Sequence, residues 1–283
     1  MFFCALIGIP MALVSCKKDF DTCKTPQAVN AEEPKEIVFT AEGPGLDIST
    51  KAVSEINGMT GFYVMATKGT SGAESLVWSQ LVNGSGQQGS VYTTGKYWPS
   101  TNLQYHFYAC ISEPAFSATG ATVTVNGKVD VVCAYLETPD YNEQNALVFD
   151  HIMGRIGTFT LNASTADYTL SGISASVTNA VKQGTYNIRT GAWSGQSAAE
   201  NVALSIGQND FLLVPGNAYS LSVTFTMTKG DYVATFTKTA TFSLEPGKIT
   251  NITANVVDDP AVLVQFTYST RPWTSKDLTL TVE

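Results

Sequence analysis

Tyr219-Ser220-Leu221-Ser222-Val223-Thr224-Phe225-Thr226-Met227 is the stretch that decides the fold. Large apolar side chains alternate with hydroxyl-bearing ones along its whole length. Successive residues of a β-strand point to opposite faces, so this period of two describes a strand with one buried and one wet face. Lys229-Gly230-Asp231 follows as a hairpin turn and leads into a second strand-like run, Tyr232–Ser243.

The same habit extends in both directions. Ile37, Phe39 and Ala41 alternate with Val38 and Thr40 as a first short strand. Strands are then predicted over residues 61–67, 76–82, 104–112, 121–125, 130–137 and 146–151. Gly84-Ser85-Gly86 and Gly95-Lys96 serve as turn signals between them. In the second half, strands are predicted over 155–163, 168–178, 204–206, 211–214 and 219–228. Ile252, Ala254 and Val256 alternate again, and Leu278-Thr279-Leu280-Thr281-Val282 does so near the end. The best short helix candidate is 151–156. Many short strands at near-regular spacing predict an all-β chain of sandwiches. The least patterned point between the halves lies at 162–167, which divides the body into 37–163 and 164–283.

Ahead of this body, residues 2–16 form an apolar run ending Leu13-Val14-Ser15-Cys16. A membrane-spanning helix needs about 20 apolar residues, so the run reads as the core of a secretory leader. A large apolar residue at Leu13 and a small one at Ser15 just before Cys16 fit the bacterial lipoprotein pattern. The leader, 1–15, is then removed and Cys16 carries the lipid. Two or more acyl chains on one cysteine make a stable membrane anchor. Residues 16–36 are polar, contain Pro26, Pro34 and the pair Glu32-Glu33, and read as a flexible tether.

Composition agrees with an extracytoplasmic β protein. Charged residues make up 14% of the 283-residue chain, well under the usual share of about 25%. A formal net charge of -8 repels phosphate backbones and argues against nucleic-acid partners. Of the five cysteines, Cys4 leaves with the leader, Cys16 takes the lipid and Cys23 lies in the tether. Cys110 and Cys133 sit in strand-like runs, where they could pair or remain two buried free thiols.

Catalytic and metal patterns are sparse. His106 and His151 are the two histidines, and neither has metal-ligand spacing to a Cys, Asp or Glu. Asp150 and His151 are adjacent, which puts them on opposite faces of a strand. No Gly-x-Ser-x-Gly elbow occurs, and no glycine loop opening a helix, as phosphate binding needs, is predicted. Glu137, Asp140 and Glu143 cluster around Pro139, where a solvated loop is a simpler reading than a calcium site. Trp78, Trp98, Trp193 and Trp273 could stack on sugar rings or cap sandwich cores. The sequence thus predicts no enzyme, no metal and no cofactor. A surface module that captures glycans is the alternative to a structural role.

Several stretches together resemble the fimbrillin-like lipoproteins of Bacteroidetes. They are Ser49-Thr50-Lys51-Ala52, Tyr97-Trp98-Pro99, Leu103-Gln104-Tyr105-His106-Phe107-Tyr108-Ala109, Asp130-Val131-Val132-Cys133-Ala134 and Val148-Phe149-Asp150-His151-Ile152-Met153. Further on come Gly184-Thr185-Tyr186-Asn187, Gly191-Ala192-Trp193, Leu212-Leu213-Val214-Pro215, Leu244-Glu245-Pro246-Gly247-Lys248 and Arg271-Pro272-Trp273. The resemblance implies two tandem transthyretin-like Greek-key β-sandwich domains. It also implies a fimbrial subunit (stalk, tip or anchor) that reaches the outer membrane as a lipoprotein. A trypsin-like protease then removes the tether with the first strand, Ile37, Val38, Phe39, Thr40 and Ala41, and a strand from the next subunit fills the vacated groove. No Arg precedes Arg155, so Lys51, followed by Ala52, is the natural cleavage point and Lys35 a poorer one. Leu278, Leu280 and Val282 form the implied donor strand, with Val262, Val264 and Phe266 as the other candidate. The implied partners are other fimbrial subunits, the outer membrane through the lipid on Cys16, and host or bacterial surface glycans or proteins.

Overall fold

Alternation of the kind seen at Tyr219–Met227 builds strands along nearly every described segment. The computed structural model describes residues 33–42, 61–70, 72–84, 91–99, 104–111, 121–128, 130–138, 145–163, 168–257 and 263–272. The first half contains β1 (Glu36–Glu42), β2 (Gly61–Lys68), β3 (Ser75–Asn83), β4 (Tyr92–Tyr97) and β5 (Tyr105–Cys110). It continues with β6 (Thr122–Val125), β7 (Val132–Thr138), β8 (Asn145–Val148) and β9 (Asp150–His151). Then come β10 (Gly154–Ala163), β11 (Thr169–Asn187), β12 (Trp193–Leu204) and β13 (Gly207–Leu213). The last described strands are β14 (Ala218–Lys229), β15 (Tyr232–Ser243), β16 (Lys248–Val257) and β17 (Leu263–Pro272). The described residues are all-β.

Two sheets enclose the first core. One has the order β4-β1-β8 and the other β3-β2-β5-β7-β9. Ile37, Phe39, Phe62, Val64, Phe107, Leu147 and Phe149 meet between them, fully or almost fully buried. The second core lies between β13-β10-β16-β17 and β12-β11-β14-β15. Here Tyr219, Leu221, Val223 and Phe225, the inward side chains of the alternating stretch, are fully buried. The Tyr219 hydroxyl donates to the Val214 carbonyl at 2.6 Å, which satisfies its polar end, and burial pushes its pKa up to about 12.

The two cores are not separate. A third cluster takes Tyr108, Cys110, Cys133 and Val131 from the first half and Ile188, Val214 and Ile249 from the second. β6, early in the chain, pairs with the Gly184–Asn187 end of β11, and β10 pairs with β13 and β16. The residues of β10, counted with the first half by composition, are thus hydrogen-bonded to strands of the second.

Some local expectations fail. Residues 151–156 form no helix: they end β9 and begin β10, because His151 pairs with Val132 and Arg155 with Ile249. Gly95-Lys96 is no turn but part of β4, where Gly95 adopts φ +65°, a conformation that favours glycine. Of the expected 204–206 strand only Leu204 is in a strand, as the last residue of β12, which begins at Trp193; 205–206 lie between β12 and β13. The two-residue turn at Gly230-Asp231 is as expected, with Lys229 opposite Tyr232 and Gly230 at φ +58°.

Phe39 makes edge contacts with Phe62 and Phe107, at centroid distances of 6.2 and 5.0 Å. Truncating this fully buried ring, Phe39→Ala, is expected to cost about 3–5 kcal/mol in urea unfolding. Val148→Ala, on the exposed face of β8, is expected to stay within about 0.5 kcal/mol of the parent. Equal unfolding midpoints for all three proteins would contradict this assignment of the core.

Candidate functional site

β1 lies in the middle of its sheet. It runs antiparallel to β4 and parallel to β8, pairing Phe39 with Tyr92 on one side and with Asn145 on the other. Ile37 and Phe39 point into the core, while Val38, Thr40 and Ala41 are half-buried. Behind them Phe62, Phe107, Phe149 and Tyr92 form an aromatic floor, with Phe62 at 5.0 Å from Tyr92 and 5.3 Å from Phe149. The strand also takes bonds from outside the ladder. Thr94 donates its hydroxyl to the Ile37 carbonyl at 2.6 Å, and Asn145 donates Nδ2 to the Val38 carbonyl at 2.9 Å. The Gly95 N–H reaches Glu36 at 2.6 Å, and the Trp98 N–H reaches the Lys35 carbonyl at 2.9 Å. All five residues from Ile37 to Ala41 therefore belong to a strand held on both edges.

A second polar assembly lies on the other side of β5. Arg189 stands on the turn after β11, shaped by Asn187, whose Oδ1 accepts the N–H groups of Arg189 and Thr190 at 3.0 and 2.9 Å. Its guanidinium bridges Glu74 and Glu137, each at 3.0 Å, and lies 5.4 Å from the centre of the Tyr135 ring. Glu74 also accepts from Tyr108 at 2.8 Å and Thr67 at 2.7 Å. Tyr135 donates to Glu137 at 2.9 Å, and Gln104 donates to the same carboxylate. His106, fully buried, contacts the Tyr135 hydroxyl through Nδ1 and donates from Nε2 to the Gly69 carbonyl, both at 2.8 Å. The hydrogen bond from Tyr135, helped by His106 and Arg189, holds the Glu137 carboxyl below its ordinary range. Burial pushes the phenols of Tyr108 and Tyr135 up.

Glu137 is engaged in this network, while Asp140 and Glu143 lie outside the described residues. Asp150 is exposed and His151 buried, and His151 bonds Asp130 at 2.6 Å instead of its neighbour. Cys110 and Cys133 are free thiols, both buried, and face each other across β5 and β7; burial pushes the Cys110 thiol well up. Trp98 packs edge-on against Tyr105 and Phe107, Trp78 lies over Phe107 and Trp193 against Tyr186, so these three serve as core caps. Cys16, Lys51, Ala52, Trp273, Leu278, Leu280 and Val282 lie outside the described residues. Val264 and Phe266 belong to β17, which is paired along its length with β16, and pack on the second core. Sequence reading missed the assembly around Arg189, whose members come from five separate segments with no local signature.

A family model described as fimbrillin-like matches residues 50–273. Among solved structures, the chain is similar to a candidate cell adhesion protein from Bacteroides uniformis. The TM-score is 0.54 at 16% identity, covering 86% of this chain and 99% of that one. A second, from Parabacteroides distasonis, gives 0.56 at 9% identity, over 85% and 97%. A third, from Bacteroides ovatus, gives 0.51 at 15% identity, over 85% and 98%. At these identities the likeness is one of fold. No curated protein matches the chain.

Because the Glu137 carboxyl is held down in the folded protein, its stabilisation is present above the ordinary carboxylate range, near pH 4.3, and is lost as pH falls through the lowered value. Glu137→Gln should therefore melt below the parent protein at pH 7, with the gap closing in strong acid. A gap that stays constant down to pH 2 would count against the network. For the buried thiols, the expectation is that Cys110 and Cys133 escape alkylation at pH 8 until the fold is unfolded in urea. Peptide mass spectrometry reads this directly, and rapid labelling of the native protein would refute it.

Proposed function

The chain belongs to the fimbrillin-like family, and from that premise we propose that it is a structural subunit of a bacterial surface fimbria, exported as a lipoprotein on Cys16 and assembled by replacement of β1. One observation carries the reading. β1 is a central strand whose partners, β4 and β8, come from later in the chain, and its covalent link to the rest runs through 43–60, the segment that contains Lys51. A cut between Lys51 and Ala52 leaves β1 held by noncovalent contacts alone. Its departure opens an apolar slot with two unpaired strand edges, and such edges template pairing with another chain.

The occupant is a strand of the next subunit. Each large apolar side chain reburied contributes about 1.5–3 kcal/mol, and the restored ladders add to that. The segment with Leu278, Leu280 and Val282 is the better donor. Val264 and Phe266 are already committed to the second core through β17, so using them would tear a ten-residue strand from β16. The partners are thus other subunits, with the outer membrane as the site of export through the lipid. Two sandwiches divided near β9 and β10 form the body of each subunit. The inward packing of Trp78, Trp98 and Trp193 gives a glycan platform no support.

N-terminal sequencing of fimbriae sheared from the native cell surface tests this. Polymerised subunits are expected to begin at Ala52, and Lys51→Ala should leave a lipid-blocked Cys16 and abolish polymers. Purified fimbriae whose subunits retain an intact 16–51 segment would overturn strand replacement.

A further inference from the structure

Two of the side chains that grip β1, Thr94 and Asn145, hold its main chain and not its side chains. Thr94, 8% exposed, reaches the Ile37 carbonyl from β4, and Asn145, fully buried, reaches the Val38 carbonyl from the start of β8. Of the two ends of the Asn145 amide only the NH2 can donate to a carbonyl, which fixes the amide's orientation. The parallel ladder to β8 begins at the pair Phe39 and Asn145. The Asn145 side chain therefore extends the ladder by one bond, as a peptide group would. Its Oδ1 is buried and has no hydrogen-bond partner. A buried acceptor left unpaired is costly, and a permanent core strand at this place is better served by an apolar neighbour than by asparagine. The amide makes sense where the main chain of the occupant, and not its side chains, has to be held.

Resting on the strand-replacement reading, we infer that Thr94 and Asn145 are a main-chain clamp that sets the register of any strand entering the slot. The clamp accepts an extended peptide of a second polypeptide that presents large apolar side chains at the Ile37 and Phe39 positions and a free carbonyl at each of the two clamped positions. The outward positions, Val38 and Thr40, carry little selection. The unpaired Oδ1 is the one place in the clamp where another occupant gains a bond that β1 does not make.

The test uses the full chain with a site-specific protease sequence placed at Lys51, nicked there with β1 still seated. Labelled peptides spanning 35–42 compete with the resident segment, and the displacement ratio gives relative affinity. Changing the peptide at Val38 and Thr40 should alter the ratio less than about twofold. Replacing the amide after Val38 by an ester weakens that carbonyl as an acceptor and removes the Phe39 N–H, and should cost about five- to tenfold; the loss of the N–H is common to parent and variant proteins, so their difference reports the carbonyl. The same ester should cost much less against the Asn145→Leu protein, because the bond it weakens is already gone. Thr94→Val with an ester after Ile37 forms an independent second cycle, read if Asn145→Leu does not fold. Equal ester penalties in the parent and variant proteins would overturn the clamp while leaving strand replacement standing. If no peptide displaces or replaces β1 in the nicked parent protein, strand replacement itself fails.

Discussion

Everything described here is arranged around β5, whose six side chains are all buried. Tyr105, Phe107 and Ala109 face the first core, and Phe107 meets Phe39 of β1. His106, Tyr108 and Cys110 face the other way, towards β6, the turn after β11 and the loop after β13. A strand wet on one face can be displaced at modest cost. One that is buried on both faces cannot slip by a single residue, because the slip would send His106 into an aromatic core and Phe107 among carboxylates. The register of β5 against β2 and β7 is thereby fixed twice, once from each side.

The polar side of β5 is costly and is therefore satisfied. Two carboxylates, Glu74 and Glu137, share the Arg189 guanidinium, and each accepts further bonds from hydroxyl or amide groups. Glu74 is nearly buried and Glu137 exposed; a buried ion pair often costs as much in desolvation as it returns and an exposed one returns little, so this assembly is weak evidence for raw stability. It supplies direction instead. Arg189 reaches both carboxylates only when the turn at Asn187 is closed against the Ala121 carbonyl, which accepts the Ile188 N–H at 2.7 Å. The second half is in this way docked on the first in a single arrangement, which apolar contacts in the third cluster alone would not specify.

Much of the body was legible in the sequence, for a physical reason. Strands such as β14 bury one face only, and alternation records that directly. β12 was missed because Gly195, Ala198, Ala199 and Asn201 give it little strand propensity; pairing with β11 makes it a strand. The run 151–156 forms no helix because Ile152 and Met153 fill a joint between sheets and Ile156 enters the second core, so side chains of neighbouring residues are buried on both faces. The central place of β1 follows from contacts with residues more than fifty positions away, which no local pattern encodes. The same holds for Arg189, one charged residue in a polar turn until Glu74 and Glu137 are brought to it.

The floor beneath β1 is where the two faces of β5 bear on the first strand. A groove that has lost a strand usually collapses, since its apolar lining closes on itself. Here the lining is carried by β2 and β5, and β5 is held from behind by the Tyr108, His106 and Cys110 contacts, none of which involves β1. Thr94 also keeps a bond within β4, accepting the Lys96 N–H at 3.0 Å. The floor of the slot is thus anchored by groups that do not depend on β1, whereas β4 and β8, its two edges, pair among the described strands with β1 alone. A fixed joint with the second half and a floor held independently of β1 are two consequences of burying one strand on both sides.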